Sequence, residues 1–269
     1  MNKNYFSLLF FFSFLFSGCE EVDVVNPQTT NKEYIVVRAE LKAWSNFEGV
    51  AFTKTLPINE PYDTNKAFLR NVTAYLKIDG IRIIPLHYYQ SGIYKPYGDV
   101  LIVPQSTYEL FAIVDSTSIY GITKIPKKPD VTYSTYLNKH IVADVKSNPS
   151  EVYGAVWAIV NPSNNSLIAM GPDFLSVVNS SYDIYLPTTS VRTADIPDQY
   201  TSVNFNNYRC IKVYAFDTPY LKYFYTKDNN QPITNAFVQG GDRIAWNVQG
   251  NNVIGLFIGS AEGGYVWAN

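Results

Sequence analysis

The 269-residue sequence carries 21 Lys and Arg against 23 Asp and Glu, for a net charge of −2 at pH 7. That balance, without a block of basic residues, excludes the electrostatic footprint of a nucleic-acid-binding protein. Only two cysteines and two histidines are present, which excludes a disulfide-stapled scaffold and a Cys/His metal site of ordinary spacing.

At the start, a single cation, Lys3, precedes an apolar run over residues 6–16 that only Ser7 and Ser13 interrupt. The pattern predicts a secretory signal peptide over residues 1–18, because the run is much shorter than the ~20 residues of a membrane-spanning helix. Phe16-Ser17-Gly18-Cys19 resembles a bacterial lipobox, with Phe16 where Leu is usual. The resemblance implies cleavage before Cys19 and lipidation of that residue. Several acyl chains, each contributing ~0.8 kcal/mol per buried CH₂, would then tether the protein to a membrane without spanning it. Glu20, Glu21 and Asp23 are similar to the export signal by which Bacteroidota carry lipoproteins to the outer face of the outer membrane. This implies a cell-surface location, with the periplasmic face of the same membrane as the alternative. The polar stretch over residues 19–32 reads as a flexible tether.

An aromatic content of 16%, with 22 tyrosines, and abundant Val, Ile and Thr suit pleated, half-buried surfaces, so a mainly β protein is expected. Over residues 33–44, Ile35, Val37, Ala39, Leu41 and Ala43 alternate with Arg38, Glu40 and Lys42, which predicts a strand with one wet face. A second strand is expected over 50–56, then a polar loop over 59–66. Val72, Ala74, Leu76 and Ile78 alternate with Thr73, Tyr75 and Lys77 as far as Asp79-Gly80, a dipeptide suited to the positive φ angles of a hairpin turn. Strands over 81–84, from Gly92, over 107–114 and over 119–125 complete the set, with Asp115-Ser116-Thr117-Ser118 as the last connection. Seven short strands in about a hundred residues predict an Ig-like or transthyretin-like β-sandwich over residues 33–127.

Several of these segments, in their order, resemble a known family. Cys19-Glu20-Glu21, Tyr34-Ile35-Val36-Val37, Val72-Thr73-Ala74-Tyr75-Leu76, Gly92-Ile93-Tyr94, Thr107-Tyr108-Glu109-Leu110 and Ile119-Tyr120-Gly121-Ile122-Thr123-Lys124-Ile125-Pro126 carry the likeness. The family is that of Bacteroidota lipoproteins catalogued as domain of unknown function 4249. It implies an outer-membrane lipoprotein of unknown activity, with members often encoded beside TonB-dependent receptors.

Pro126-Lys127-Lys128-Pro129 marks an expected boundary, because proline withholds the donor a continuing strand needs. A second β-rich domain with one short helix is expected over 130–269. Its predicted strands cover 141–145, 152–160, 182–186 and 208–216, and the second, apolar on both faces, should sit centrally. Asp217-Thr218-Pro219 reads as a helix start with a side-chain cap, leading into Tyr220-Leu221-Lys222-Tyr223-Phe224-Tyr225. A strand is expected over 244–248, and the glycine-rich stretch over 250–260 resembles the terminal strand of the same family but runs on through Gly263-Gly264-Tyr265-Val266-Trp267. Those glycines lack the spacing of a nucleotide-binding loop and read as turns or bulges.

Catalytic chemistry is not prefigured. His87 and His140 are isolated, no GxSxG elbow or HExxH occurs, and Asp99, Glu109, Asp130, Asp183 and Asp242 are scattered. No catalytic residue, metal ligand or cofactor is therefore assigned, and a binding protein is expected in preference to an enzyme. Cys210, between apolar strand residues, reads as a small buried hydrophobe. Asp115-Ser116-Thr117 resembles a short O-glycosylation sequon of Bacteroidota, although a hairpin turn is the favoured reading because such tripeptides are common. Tyr88, Tyr89, Tyr94 and Tyr97 are candidate ligand-facing aromatics, since tyrosine joins an apolar ring to a polar tip, with core packing the favoured alternative because large aromatic rings usually go inward. The expected partners are the membrane through Cys19, a TonB-dependent receptor, or a glycan, and not nucleic acid. A hydrolase with a spatially assembled site is the remaining alternative.

Overall fold

The computed structural model describes residues 32–57, 61, 63–180, 188–227 and 244–269. The predicted signal peptide, Cys19 with Glu20, Glu21 and Asp23, the strand over 182–186, Asp183 and Asp242 lie outside the described residues. The described residues form sixteen strands, so the fold is mainly β. Glu33–Asn269 makes one compact unit.

The first seven strands follow from the alternation of the sequence. They are β1 (Ile35–Lys42), β2 (Val50–Lys54), β3 (Val72–Ile78), β4 (Arg82–Gln90), β5 (Ile93–Lys95), β6 (Thr107–Val114) and β7 (Thr117–Lys124). Asp79 and Gly80, with φ of 49° and 71°, make the predicted tight turn between β3 and β4. A sharp turn at Asp115, with φ of 51°, joins β6 to β7, which starts two residues earlier than expected. Helix α1 (Thr64–Ala67) stands at the end of the predicted 59–66 loop, started by Asp63, whose Oδ1 accepts from the Asn65 amide at 2.9 Å.

The core between these strands belongs to two layers of one long sheet. Val37 and Leu41 of β1, Phe52 of β2, Leu76 of β3 and Leu110 of β6 are fully buried and share a cluster with Phe257. Each such side chain contributes about 1.5–3 kcal/mol relative to leaving it in water.

Beyond the double proline the chain forms β8 (Val131–Leu137), β9 (His140–Lys146), β10 (Glu151–Val160), β11 (Leu167–Met170), β12 (Val177–Asn179) and β13 (Thr188–Arg192). Two 3-10 helices, Asp198–Tyr200 and Val203–Tyr208, lead to β14 (Arg209–Asp217), helix α2 (Pro219–Thr226), β15 (Val248–Gln249) and β16 (Val253–Trp267). Every residue of β10 is buried, as its two apolar faces require. Tyr153, Ala155, Trp157 and Ile159 pack with Ile211, Val213 and Ala215 of β14 and with Ile141, Ala143 and Val145 of β9. The sheet β13-β9-β8 covers this side, and Phe174, Phe216, Tyr220 and Phe224 gather with Val152 and Val177 on the other.

One strand joins the two cores. β16 pairs parallel with β1 from Val253 to Ser260 and antiparallel with β14 from Ser260 to Trp267, giving the order β11-β10-β14-β16-β1-β2-β5-β4-β3-β6-β7-β15. One sheet thus runs across the expected boundary at Pro126-Lys127-Lys128-Pro129, and Val248, Val253 and Phe257 from beyond it belong to the first core. The run-on through Gly263-Gly264-Tyr265-Val266-Trp267 is the reason: it carries β16 from one core to the other. Gly255 lets β16 pass β1, with φ of 145° and an ideal Cβ position only 1.9 Å from the Val37 carbonyl oxygen. On the outer side of this junction Glu262 ion-pairs with Lys42 and, at 2.7 Å, with Lys212. Lys212 lies over the rings of Tyr214 and Tyr265.

Other expectations are corrected. The strand over 244–248 shrinks to Val248–Gln249, because the Asn247 side chain instead holds both backbone groups of Phe257, at 2.7 and 2.8 Å. Thr218 does not cap α2 with its side chain; its Oγ1 donates to the Ser150 carbonyl at 2.8 Å, and Asp217 Oδ1 accepts from the Thr218 amide at 2.9 Å.

Candidate functional site

The alternation that buries Ala74, Leu76, Ile84, Leu86, Leu110, Ala112 and Ile119 turns their neighbours outward. The register then aligns Pro85, Tyr75, Phe111 and Tyr120 directly across β4, β3, β6 and β7. Tyr75 and Phe111 stack with ring centroids 5.0 Å apart, and Tyr120 follows at 5.0 Å with its ring tilted by 57°. Ile83, Lys77, Glu109 and Ile122 form the parallel row beside it. Ile83, Ile113 and Ile122 are 60%, 51% and 43% exposed, although this is the solvent side of the sheet.

Polar groups fix the row without covering it. Glu109 accepts from the Tyr120 hydroxyl at 3.0 Å and lies 4.0 Å from Lys77 Nζ. Burial, then the bond to Glu109 and its charge, push the Tyr120 hydroxyl above its ordinary range, so it stays a protonated donor. Pro85 occupies a stretch of β4 that pairs only with β3 among the described strands, and its missing N–H blunts that edge. A contiguous apolar patch bordered by polar groups is the form that protein contact surfaces take. The ionisable groups within it, Glu109, Lys77 and the Tyr120 hydroxyl, are engaged with one another.

The candidate tyrosines separate. Tyr94 is a correction: it is buried, its hydroxyl accepts from the Val72 amide at 3.0 Å and donates to the Leu69 carbonyl at 3.1 Å, and its ring meets Phe52 edge-on. It faces the core because it alternates with the half-buried Ile93 and Lys95, and no ligand can reach it. Tyr88 is partly exposed and packs against Tyr94. Tyr89 lies under Lys95 Nζ at 5.0 Å, and Tyr97, 89% exposed, stacks on His87 at 3.8 Å. The structure therefore leaves Tyr89 and Tyr97 at the surface with different neighbours and takes Tyr94 out of the site.

No protein-family model and no curated protein matches the chain. The assignment of a site accordingly depends on geometry.

The remaining candidates have structural surroundings. Cys210 is fully buried, and burial pushes its thiol up to about 12, so thiolate chemistry is suppressed. His140 Nδ1 lies 3.1 Å from the Asn138 carbonyl and 3.8 Å from Asp195. Tyr220 stacks on Phe216 at 4.0 Å, and the Tyr225 hydroxyl donates to the Val177 carbonyl, so α2 uses its aromatics largely for packing. Asp115-Ser116-Thr117 forms the β6–β7 turn. Among the described residues no group of three or more His, Cys, Asp or Glu is placed to hold a metal ion, and no helix is long and apolar enough to cross a membrane. Sequence reasoning placed Tyr75 on a wet face but passed over Phe111, Tyr120 and Pro85. The signal was there: Phe111 and Ile113 are apolar at positions where the alternation calls for polar residues.

Proposed function

We propose that this protein is a lipid-anchored accessory subunit of an outer-membrane uptake complex, acting by binding a protein partner and not by catalysis. The observation that carries the reading is the outward row of Tyr75, Phe111 and Tyr120 with exposed Ile83, Ile113 and Ile122 beside it. A flat apolar face of this kind suits a preformed protein surface, because its packing is already rigid and little ordering entropy is lost on contact. Cys19 would supply the anchor, and Glu20, Glu21 and Asp23 would direct the protein to the cell surface. The resemblance to the lipoprotein family named above supports a TonB-dependent receptor as the partner.

The test is gentle detergent extraction of native outer membranes, purification through a C-terminal tag and mass spectrometry of stoichiometric partners. The same purification with Tyr75→Thr and Phe111→Thr combined changes the face while keeping β-compatible side chains. Recovery of a TonB-dependent barrel at one-to-one ratio with the native sequence, and its loss with the double variant, is the expected result. Recovery of the lipoprotein alone, or of a complex indifferent to the double variant, would overturn the reading.

A further inference from the structure

A second surface has a different chemistry. The loops joining β1 to β2 and β5 to β6 enclose a cleft of about 320 Å³ lined by Ser45, Asn46, Glu48, Lys95, Tyr97 and Asp99. Glu48 also lines a shallower depression of about 430 Å³ that continues over Arg38 and Glu40. The two hollows share Glu48, but Ala39, Ala51, Ile93, Leu256 and Ile258 make the second largely apolar, so the polar chemistry belongs to the cleft.

The cleft is rigid. Phe47 is buried, and its amide donates to the Val100 carbonyl at 2.8 Å. The Trp44 amide donates to the Ile102 carbonyl at 2.8 Å, and the Ile102 amide returns a bond to the Ser45 carbonyl at 3.0 Å. Asn46 and Leu101 form a further antiparallel bridge. Gly49 permits the close approach to β5: its φ is 111°, and an added Cβ would stand 2.6 Å from the Tyr94 carbonyl oxygen. Backbone bonds thus hold both walls in place before any ligand arrives.

The lining is amphipathic in a specific way. Tyr97 rests one face on His87 at 3.8 Å, with 23° between the rings, while the side chain remains 89% exposed. A ring braced from behind and open in front is a stacking surface. Around it stand carboxylates (Glu48, Asp99), an ammonium (Lys95), a carboxamide (Asn46) and a hydroxyl (Ser45). A ligand that fits must therefore offer an apolar C–H face and many hydroxyls that both donate and accept. The two carboxylates disfavour phosphates and other anions by like-charge repulsion. The polar walls leave a purely apolar ligand's burial uncompensated.

We infer that the cleft is a saccharide-binding site, in which a neutral pyranose ring stacks on Tyr97 and its hydroxyls are held by Glu48, Asp99, Asn46 and Lys95. This goes beyond the partner-binding reading and does not depend on it, since the aromatic row and the cleft involve different residues.

The experiment is affinity electrophoresis of the full chain in detergent, through native gels containing mixed-linkage β-glucan, xylan, galactomannan or starch, with a lysine-rich peptide as competitor. Retardation by at least one polysaccharide is expected, weakened about tenfold in apparent Kd by Tyr97→Ala, as for a central aromatic contact. Glu48→Gln should weaken it as well, whereas Phe111→Thr should leave it unchanged. Tyr97 projects into solvent, so its replacement should leave the melting temperature at the native value and separate lost binding from lost folding. The inference fails if none of the four polysaccharides retards the native chain, or if retardation persists unchanged in Tyr97→Ala and Glu48→Gln. Binding of the lysine-rich peptide in place of the sugars would also overturn it.

Discussion

Asp217 and Thr123 are 94 residues apart in the chain, yet Asp217 Oδ2 accepts from Thr123 Oγ1 at 2.8 Å. The same oxygen accepts from the Lys124 amide at 2.9 Å, and Thr123 Oγ1 accepts in turn from the Gly259 amide at 2.7 Å. Three segments meet there. Beside Asp217 on β10, buried Glu151 accepts from the Lys127 amide at 2.9 Å and from the Tyr153 hydroxyl at 3.0 Å. Asp217→Ala leaves three donors, the Thr123 hydroxyl and the Lys124 and Thr218 amides, without that acceptor and should cost about 1–3 kcal/mol. Chemical denaturation should show a lower midpoint, and Thr123→Val should cost less in the Asp217→Ala background than alone, because the bond between the two is already gone and only the Gly259 amide then loses its acceptor.

Gly255→Ala should be more damaging than a typical surface change. Its Cβ would strike the Val37 backbone where β16 meets β1. Strain and overpacking together place the loss at the upper end of ~1–3 kcal/mol or above. Loss of amide protection on both β1 and β16 in hydrogen exchange would check that the break is at this pair.

Cys210 should resist a disulfide reagent in the native protein at pH 8 and react fully after denaturation, since the thiol is buried and held up to about 12. Fast labelling of the folded chain would contradict the burial. Cys210→Ala removes a side chain from a cluster with Ala158 and Val160 and should destabilise mildly, by about 1 kcal/mol.

Glu262 predicts an acid-side pH dependence. Burial pushes its carboxyl up, but hydrogen bonds from Lys212 and Lys42 and their charges outweigh this and hold it below its ordinary value of 4.5. A lowered folded value means that the stabilisation is present above the unfolded pKa and is lost as pH falls through the folded one. Melting temperatures of native protein and Glu262→Gln should therefore differ at pH 7 and converge below pH 4.5. A gap that persists unchanged into strong acid would refute the assignment.

Much of the strand content was legible because one face of each strand is buried and the other wet. β1, β3 and β6 declare themselves by alternation, β10 by its continuous apolar run, and Asp79-Gly80 by the φ angles that its turn demands. β8 went unanticipated although Val131-Thr132-Tyr133-Ser134-Thr135-Tyr136-Leu137 is rich in β-branched and aromatic residues. Its alternation is weak, because Tyr133 and Thr132 are both exposed. The order of pairing was not legible, since nothing local in Val253-Ile254-Gly255 specifies β1 as a parallel neighbour more than 200 residues away. The same non-local packing decided Tyr94, whose spacing from Tyr88, Tyr89 and Tyr97 matched a surface cluster while the register turned it inward. The aromatic row was half legible: each outward position could be read along its own strand, but the alignment across four strands depends on register.

The place of β16 also sets a clock on assembly. Until Val253–Trp267 has been synthesised, β1 and β14 each lack the neighbour that joins them, and neither core can close against its partner. A chain synthesised from its N-terminus must then remain open through nearly its whole length, with the contacts of highest sequence separation forming last and slowly. Unfinished chains would consequently expose the flanks of both cores to chaperones and proteases, making completion of the polypeptide the checkpoint for its survival.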